Sequence, residues 1–242
     1  MKIFEYRVLD STNAEAKRYG MSGGQVPAVF IAHEQTAGRG RMGRKFFSPK
    51  DTGVYISILF EAPDDTDRLL SLTSLAAVAT MEAIRLQFGI AVSIKWVNDL
   101  YLDQKKIAGI LAESFTAEEK KLIVIGIGIN ISTADFPEDI AQKAGSLDVK
   151  YVVCSEQKRA LAIDISEKLL AYMNERSIAD TMRKYREHSC VIGRKIKFVK
   201  DGEEVAATAL DITDTGALKV MLTTGKTIIL NSGEISIFWD WS

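Results

Sequence analysis

Hydrophobic and polar residues follow the periods of strands and helices in turn along the chain. Alternation and short apolar runs predict strands in "IFEYRVL", "PAVFIAHEQ", "TGVYISILF" and "VSIKWV". Helical spacing and end signals predict helices in "DSTNAEAKRYG", "DDTDRLLSLTSLAAVATMEAIRLQFG", "SEQKRALAIDISEKLLAYMNER" and "ADTMRKYREHS". The first of these has Thr12 and Glu15 at capping-box spacing and Gly20 as its expected end.

A predicted hairpin and a buried strand occupy the middle of the chain. The segment "NDLYLDQKKIAGILAES" predicts a turn and a hairpin with its tip between Asp103 and Lys105. The segment "KLIVIGIGINI" predicts a buried strand whose glycines allow something to approach its backbone closely. Residues 132–150 show no clear period.

The pattern changes near the C-terminal end. From Val191 onward, short strands alternate with Asp-Gly, Thr-Gly and Ser-Gly turn signals, which is typical of a small β-barrel or sandwich. We therefore predict a boundary near His188, with one domain at 1–188 and a second at 189–242.

Composition and charge limit the classes of function. The formal net charge of -1 argues against wholesale electrostatic binding to nucleic acid or to an anionic membrane. Cys154 and Cys190 form no C-x-x-C pair, so a disulfide scaffold or zinc site is not expected. The longest apolar run contains Ser and Thr and falls short of a membrane span, and no signal peptide is visible. A cytoplasmic protein is the expectation.

The stretch "HEQTAGRGRMGRKFFSP" contains G-x-G-x-x-G at Gly38, Gly40 and Gly43. A dinucleotide-binding loop needs a helix opening at the glycines, but "RKFFSPKDTG" leads into another strand. A kinase would need H-R-D and D-F-G, and a P-loop needs G-x-x-x-x-G-K-[ST]; the sequence has none of these. A zinc hydrolase and a serine triad lack their motifs as well.

An anion-binding loop fits this stretch better. Glycine allows tight closure around a ligand, and arginine binds carboxylate or phosphate with paired hydrogen bonds. A charge run alone is usually a solvated surface loop, but the glycine spacing and the flanking Phe46 and Phe47 favour a binding role. The cations in question are Arg39, Arg41, Arg44 and Lys45.

The other candidate residues each have a plain structural explanation when taken singly. Ser11 and Thr12 are helix-capping residue types, and Asn98-Asp99 is a common turn pair. Lys95 and Lys106 could be solvated lysines. Only their order along the chain favours a shared function.

That order resembles the biotin–protein ligase family, the biotin–[acetyl-CoA-carboxylase] ligases. The resemblance lies in "DSTNAEA", "EQTAGRGRMGRKFFSP", "KWVNDLYLDQKKIAGILAES" and "IVIGIGINI", ends at about Ile131, and resumes in "GALKV" and "GEISI". It implies an α+β fold: a class II synthetase-like catalytic domain built on a mixed sheet, followed by a small C-terminal SH3-like β-barrel.

The resemblance also implies a two-step reaction. Biotin's carboxylate attacks the α-phosphate of ATP to give biotinyl-5′-AMP and pyrophosphate, with Mg²⁺ sharing the phosphate charge. A lysine of a biotin carboxyl carrier domain, from acetyl-CoA carboxylase or a related carboxylase, then takes the biotinyl group and releases AMP. Cations suit this chemistry because the first step brings two anions together.

The family pattern assigns roles to residues of this chain. The catalytic group is Lys106, Arg39 and Asp99, with Asp99 either holding Mg²⁺ or acting as a base toward the incoming lysine. The biotin-binding set is Ser11, Thr12, Asn13, Gln35, Arg39, Gly40, Arg41 and Lys106. The ATP- and adenylate-binding set is Arg41, Arg44, Phe46, Lys95, Asn98 and Asn130.

Further expectations concern the loop and two departures from the pattern. The loop from Thr36 to Ser48 is expected to be mobile, to close over the adenylate, and to depend on Arg39 as its anchor. Phe46 stands where many relatives have an adenine-stacking tryptophan, and Val97 stands where relatives often have proline.

Only ten residues precede Ser11, so we expect a monofunctional ligase without the N-terminal DNA-binding domain of bifunctional members. No DNA or membrane partner is expected, and a homodimer is possible within the family pattern. The alternatives are a lipoate–protein ligase-type acyltransferase, although no R-R-x-x-G-G-G run occurs, and a non-catalytic nucleic-acid-binding module.

Overall fold

The computed structural model describes residues 1–147, 149, 153–175 and 177–239. Its helices are Thr12–Met21 (α1), Thr66–Phe88 (α2), Glu138–Ala141 (α3), Ser155–Asn174 (α4) and Ala179–Glu187 (α5). Its first strands are Lys2–Tyr6 (β1), Ala28–Ala32 (β2), Gly53–Glu61 (β3), Ser93–Lys95 (β4), Asp99–Leu102 (β5), Lys105–Ala117 (β6) and Lys120–Asn130 (β7). The later strands are Lys195–Lys200 (β8), Glu203–Ile212 (β9), Leu218–Leu222 (β10), Thr227–Leu230 (β11) and Ile235–Ile237 (β12).

Across these ranges, the first strands form a mixed sheet in the order β1-β2-β3-β7-β6-β5-β4. Strands β1 and β2 run parallel, and the other neighbours are antiparallel. The predicted hairpin is confirmed as β5 and β6, with its turn at Asp103 and Gln104, both at positive φ.

The two faces of this larger sheet have different compositions because side chains alternate along each strand. On one face Ile56, Ile58, Ile125 and Ile127 are buried against the helices α2 and α4. We refer to it as the core face. The opposite face carries Ser57 and several glycines, and α1 packs on it against β2, β3 and β7. We refer to it as the site face.

Helix α1 begins one residue earlier than the capping-box spacing predicted. Ser11, not Thr12, is the N-cap, and its hydroxyl accepts a hydrogen bond from the backbone N–H of Ala14. Gly20 lies inside the helix, which continues to Met21. Thr12 is therefore free to turn its hydroxyl toward the sheet instead of capping the helix.

Helix α2 forms over the predicted segment. Asp65 caps its first turn by accepting from the N–H groups of Asp67 and Arg68, and Gly89 ends it in a left-handed conformation with φ of 69°. At 23 residues it is longer than the apolar run suggested, and it meets the length and hydropathy criteria for a membrane span. However, 67% of its most apolar window is buried inside the protein, as in a core helix.

The C-terminal strands form an antiparallel sheet in the order β11-β10-β9-β8-β12. This sheet agrees with the predicted SH3-like domain, so the predicted fold class is confirmed. Helix α5 ends at Glu187 and β8 starts at Lys195, while the exact boundary at 188/189 stays a prediction. The indole N–H of Trp96 donates to the carbonyl of Gly216 at 2.8 Å and ties the two sheets together.

Candidate active site

Glycines form the floor of the candidate site on the site face. Gly109 and Gly128 are paired neighbours on β6 and β7, and Gly126 lies two residues along β7. A Cβ at Gly128 would overlap the ring of Phe46, and one at Gly126 would overlap the side-chain amide of Asn13. The close approach predicted for these glycines is therefore made by side chains of this same chain.

A bulge turns Lys106 toward this floor. Asp99 pairs with Gly109 and Tyr101 pairs with Lys106, so Ile107 is the extra residue on β6. Lys106 and Gly109 consequently point to the same side although they are three residues apart. The Lys106 ammonium lies 2.6 Å from Asp99 Oδ1 as an ion pair. The two predicted catalytic groups are thus in direct contact.

The N-terminus of α1 supplies a polar cluster at the other end of the floor. Thr12 and Asn13 are buried, and the hydroxyl of fully buried Ser57 lies 2.7 Å from Thr12 Oγ1 and 2.5 Å from Asn13 Oδ1. Gln35 Oε1 accepts from the backbone N–H of Thr12 at 2.8 Å. The predicted biotin-binding residues Ser11, Thr12, Asn13 and Gln35 therefore form one cluster.

The Gly/Arg stretch folds back on itself as a narrow loop. The backbone N–H of Gly40 donates to the carbonyl of Arg44 at 2.7 Å, and the backbone N–H of Phe46 donates to the carbonyl of Gly38 at 3.0 Å. Gly38 cannot carry a side chain, since a Cβ would overlap the carbonyl of Phe46. The tip contains Gly43 with φ of 74°, where glycine avoids strain.

Arg41 and Arg44 connect this loop to the rest of the molecule. The Arg41 guanidinium donates to Asn98 Oδ1 and to the carbonyl of Gly233, both at 3.1 Å. Arg44 pairs at 2.6 Å with Glu234, which lies just before β12 of the smaller sheet. Arg39 is exposed, and its guanidinium has no hydrogen bond or ion pair with other described residues. The expectation that Arg39 anchors the loop over a bound adenylate stays a prediction. Mobility of the loop stays a prediction.

Phe46 lies over the floor. Its ring packs on Gly128 and meets Tyr55 edge-on, with ring centroids 6.5 Å apart. A Cβ at Gly109 would come within 3.3 Å of the Phe46 ring and 3.1 Å of Lys106 Nζ. Phe46 and Lys106 therefore meet above the same glycine, which brings the loop and the hairpin together.

The remaining predicted residues line the edges. Asn98 is held in place because it donates to the carbonyl of Ile110 at 2.6 Å, which leaves its oxygen for Arg41. Asn130 is buried, and its Nδ2 donates to the carbonyl of Gly145 at 2.9 Å. Its Oδ1 has no hydrogen-bond partner within the part of the chain that the structure describes.

Lys95 lies on the same side of the sheet, with its ammonium 3.2 Å from the hydroxyl of Tyr101. Burial lowers the pKa of Lys95, and the nearby Asp99 carboxylate opposes that shift. Burial, followed by the field of Asp99, raises the pKa of Tyr101. The phenol is therefore neutral at physiological pH and serves as a hydrogen-bond partner.

Sequence reasoning missed three residues of this site. Ser57 is the one polar residue in the otherwise apolar segment "VYISILF". Glu113 follows Gly109 and Leu111 on the same side of β6, and Lys17 follows Asn13 by one helical turn. An isolated polar residue in a buried strand was the available signal, because buried polar groups need partners.

The arrangement is suited to binding an anion beside a flat polar group. Lys106, Arg41 and Lys95 bring positive charge to one end, while hydroxyls and amides occupy the other. The glycine floor lets the Phe46 ring and the Asn13 amide lie directly against the backbone.

Comparison with known proteins agrees with this site. The sequence model of the Biotin/lipoate A/B protein ligase family matches residues 5–130, and that of the Biotin protein ligase C terminal domain matches residues 191–237. The chain therefore belongs to the biotin/lipoate A/B protein ligase family.

Three proteins illustrate the similarity within this family. A biotin–[acetyl-CoA-carboxylase] ligase of Mycobacterium tuberculosis is 29% identical over 93% of this chain and 85% of its own. The bifunctional ligase/repressor BirA of Bacillus subtilis is 37% identical over 60% of this chain. This chain spans 46% of that longer protein. The structure of the biotin protein ligase of Aquifex aeolicus in complex with biotin and ATP aligns with this chain at a TM-score of 0.81 and 26% identity. The alignment covers 98% of each chain.

Proposed function

We propose that this protein is a biotin–protein ligase. It activates biotin with ATP and transfers the biotinyl group to a lysine of a biotin carboxyl carrier domain in acetyl-CoA carboxylase or a related carboxylase. The observation that carries this proposal is the glycine floor where the Lys106–Asp99 pair, Phe46 of the Gly/Arg loop and the polar end of α1 converge. The named relatives support the choice of biotin over lipoate.

In the first step, a carboxylate oxygen of biotin forms a bond to the α-phosphorus of ATP. The bond from that phosphorus to the bridging β-phosphate oxygen breaks, and pyrophosphate leaves. Lys106 and Arg41 lower the repulsion between the two anions and orient them for in-line attack. We assign Arg39 and Gly40 to the same carboxylate and phosphate groups, following the family pattern.

In the second step, the amine of the acceptor lysine forms a bond to the carbonyl carbon of biotinyl-5′-AMP. The bond to the phosphate oxygen breaks and AMP leaves, while the amine loses a proton. We assign that proton to Asp99, whose carboxylate lies beside Lys106. We assign the adenylate to Phe46, Asn98, Lys95, Arg44 and Asn130, with the unpartnered Oδ1 of Asn130 as an acceptor for it.

Mg²⁺ is proposed as a partner of ATP. It is usually bound by one or two carboxylates together with substrate phosphates, and Asp99 offers one such carboxylate at the site. The ion would neutralise charge on the phosphates. A cytoplasmic location, a homodimer and the lack of DNA binding stay predictions.

Exchange of labelled pyrophosphate into ATP tests the first step, because it depends on reversible formation of biotinyl-5′-AMP. We expect exchange with biotin and none with lipoate. We then expect labelled biotin to reach a single lysine of a purified carrier domain. No biotin-dependent exchange, or exchange with lipoate alone, would contradict the proposal.

A further inference from the structure

A charged pair lies beneath the polar cluster at the N-terminus of α1. The Lys17 ammonium is 2.5 Å from one oxygen of Glu113, and the other oxygen accepts from Asn13 Nδ2 at 2.7 Å. The side chains of Lys17 and Glu113 are 24% and 23% exposed, so both charges are largely shielded from water. Shielding strengthens such hydrogen bonds, because the effective dielectric constant is lower than in water.

Glu113 determines which way the Asn13 amide points. An ionised carboxylate only accepts hydrogen bonds, so the amide must present its NH₂ group to Glu113. The amide oxygen then faces Ser57, whose hydroxyl lies 2.5 Å away. Gly126 leaves the space that this oxygen occupies.

The same set of hydrogen bonds continues toward the Gly/Arg loop. The Ser57 hydroxyl also lies 2.7 Å from Thr12 Oγ1. Gln35 Oε1 faces the backbone N–H of Thr12, so Gln35 Nε2 must donate to Ser48 Oγ, at 2.9 Å. Each side-chain amide therefore has a fixed orientation, because the Glu113 carboxylate only accepts hydrogen bonds and the backbone N–H of Thr12 only donates them.

We propose that Glu113, held by Lys17, is a positioning residue that orients the Asn13 amide and Ser57 for binding the ureido ring of biotin. This inference rests on the proposed function, since it assigns biotin to the cluster of Thr12, Asn13 and Gln35. Glu113 acts through Asn13, and its loss releases the amide to rotate, so the cluster no longer presents a single arrangement of donors and acceptors.

The charge state of Glu113 agrees with this role. Burial would raise the pKa of this carboxyl, but the hydrogen bonds from Lys17 and Asn13 outweigh burial and lower it. Glu113 is therefore ionised at neutral pH and remains an acceptor. A glutamine at this position could present either an oxygen or an NH₂ group and would lose the pairing with Lys17.

Calorimetric titration with biotin alone tests the proposal. For Glu113→Gln we expect the Kd for biotin to rise about tenfold or more, as for loss of a charged hydrogen bond, with KM for ATP and kcat changed less than twofold. Glu204→Gln is the matched control, since it removes the exposed Lys197–Glu204 pair of the smaller sheet, and it should leave the Kd unchanged.

A polarity swap separates positioning from general support of the fold. Asn13→Asp should weaken biotin binding because two carboxylates then face each other. The double variant Asn13→Asp/Glu113→Gln restores a donor opposite an acceptor, so it should bind biotin more tightly than Asn13→Asp alone. Circular dichroism and Tm identify any variant that does not fold.

Three results would overturn the inference. These are an unchanged Kd in Glu113→Gln, a parallel loss of kcat and Tm in that variant, or a double variant no better than Asn13→Asp. The wild-type protein decides the proposed function separately: if it binds biotin, only the ratio between variant and wild type bears on Glu113. If it binds no biotin, both conclusions fail.

Discussion

Alternate residues of the same strands form the core face and the site face of the larger sheet, and the two faces have different roles. On β7, Ile125 and Ile127 are buried against helices, whereas Gly126 and Gly128 between them leave space for Asn13 and Phe46. The core face gains stability from tightly packed apolar side chains. On the site face, glycines and polar groups take the place of that packing, so that Asn13 and Phe46 can lie against the backbone. One strand therefore carries both the stability and the binding surface.

The largest expected effect comes from breaking the core face. Ile127→Ala should lower the free energy of unfolding by about 2–5 kcal/mol, because it leaves a cavity in a packed interior. Activity per folded molecule should persist at low temperature, since Ile127 points away from the site. Urea unfolding and pyrophosphate exchange measure the two quantities. An inactive but fully stable variant would contradict the division between the faces.

The second effect falls on the site face. Lys106→Ala should reduce biotin-dependent pyrophosphate exchange about 100–1,000-fold, as for loss of a group that stabilises developing charge. Its stability should change little. Lys105→Ala is the matched control, because Lys105 is exposed one residue earlier and should keep full activity. Normal exchange in the Lys106 variant would remove that lysine from its assigned role.

A smaller effect concerns retention of the intermediate. Arg41→Ala removes the hydrogen bonds to Asn98 and Gly233 and should increase release of free biotinyl-5′-AMP about 10–100-fold. Indiscriminate biotinylation of lysines on an added bystander protein would report that release. Arg39→Ala should release less, since the Arg39 guanidinium makes no hydrogen bond to another described residue. Equal leakage from both variants would count against Arg41 as the anchor.

The smallest expected effect concerns Glu82, a carboxylate of α2 on the core-face side of the larger sheet. Glu82 of α2 pairs with Lys184 of α5 at 2.6 Å and accepts from Tyr172 of α4. Burial would raise the pKa of Glu82, but these partners outweigh burial and lower it below its ordinary value of 4.5. Its stabilising contribution is thus present above the unfolded pKa and is lost as the pH falls through the lower folded pKa.

Glu82→Gln should therefore reduce the dependence of the unfolding free energy on pH at acid pH. Relative to the variant, the wild type should lose about 1 kcal/mol of unfolding free energy as the pH drops below about 4.5. Glu61→Gln is a suitable control because its pair with Lys120 is exposed. Parallel acid profiles for wild type and Glu82→Gln would show that the pair contributes nothing measurable.

Local signals in the sequence determined the elements of this fold. Strand alternation and the hairpin signal placed β3, β7 and the β5–β6 turn, and helical spacing with its end signals placed α2 within the predicted segment 64–89. These features depend on neighbouring residues, so they are readable without a structure. The ordered motifs also identified the family and most residues that meet at the site.

Tertiary structure alone decided how those residues face one another. The bulge at Ile107 places Lys106 beside Gly109, which simple alternation does not predict. Arg41 binds Asn98 and Gly233, because only the folded chain brings these residues within its reach. Ser57 and Glu113 act on Asn13 from strands 44 and 100 residues away. Contacts across such distances depend on the packing of the sheet, which no local pattern records.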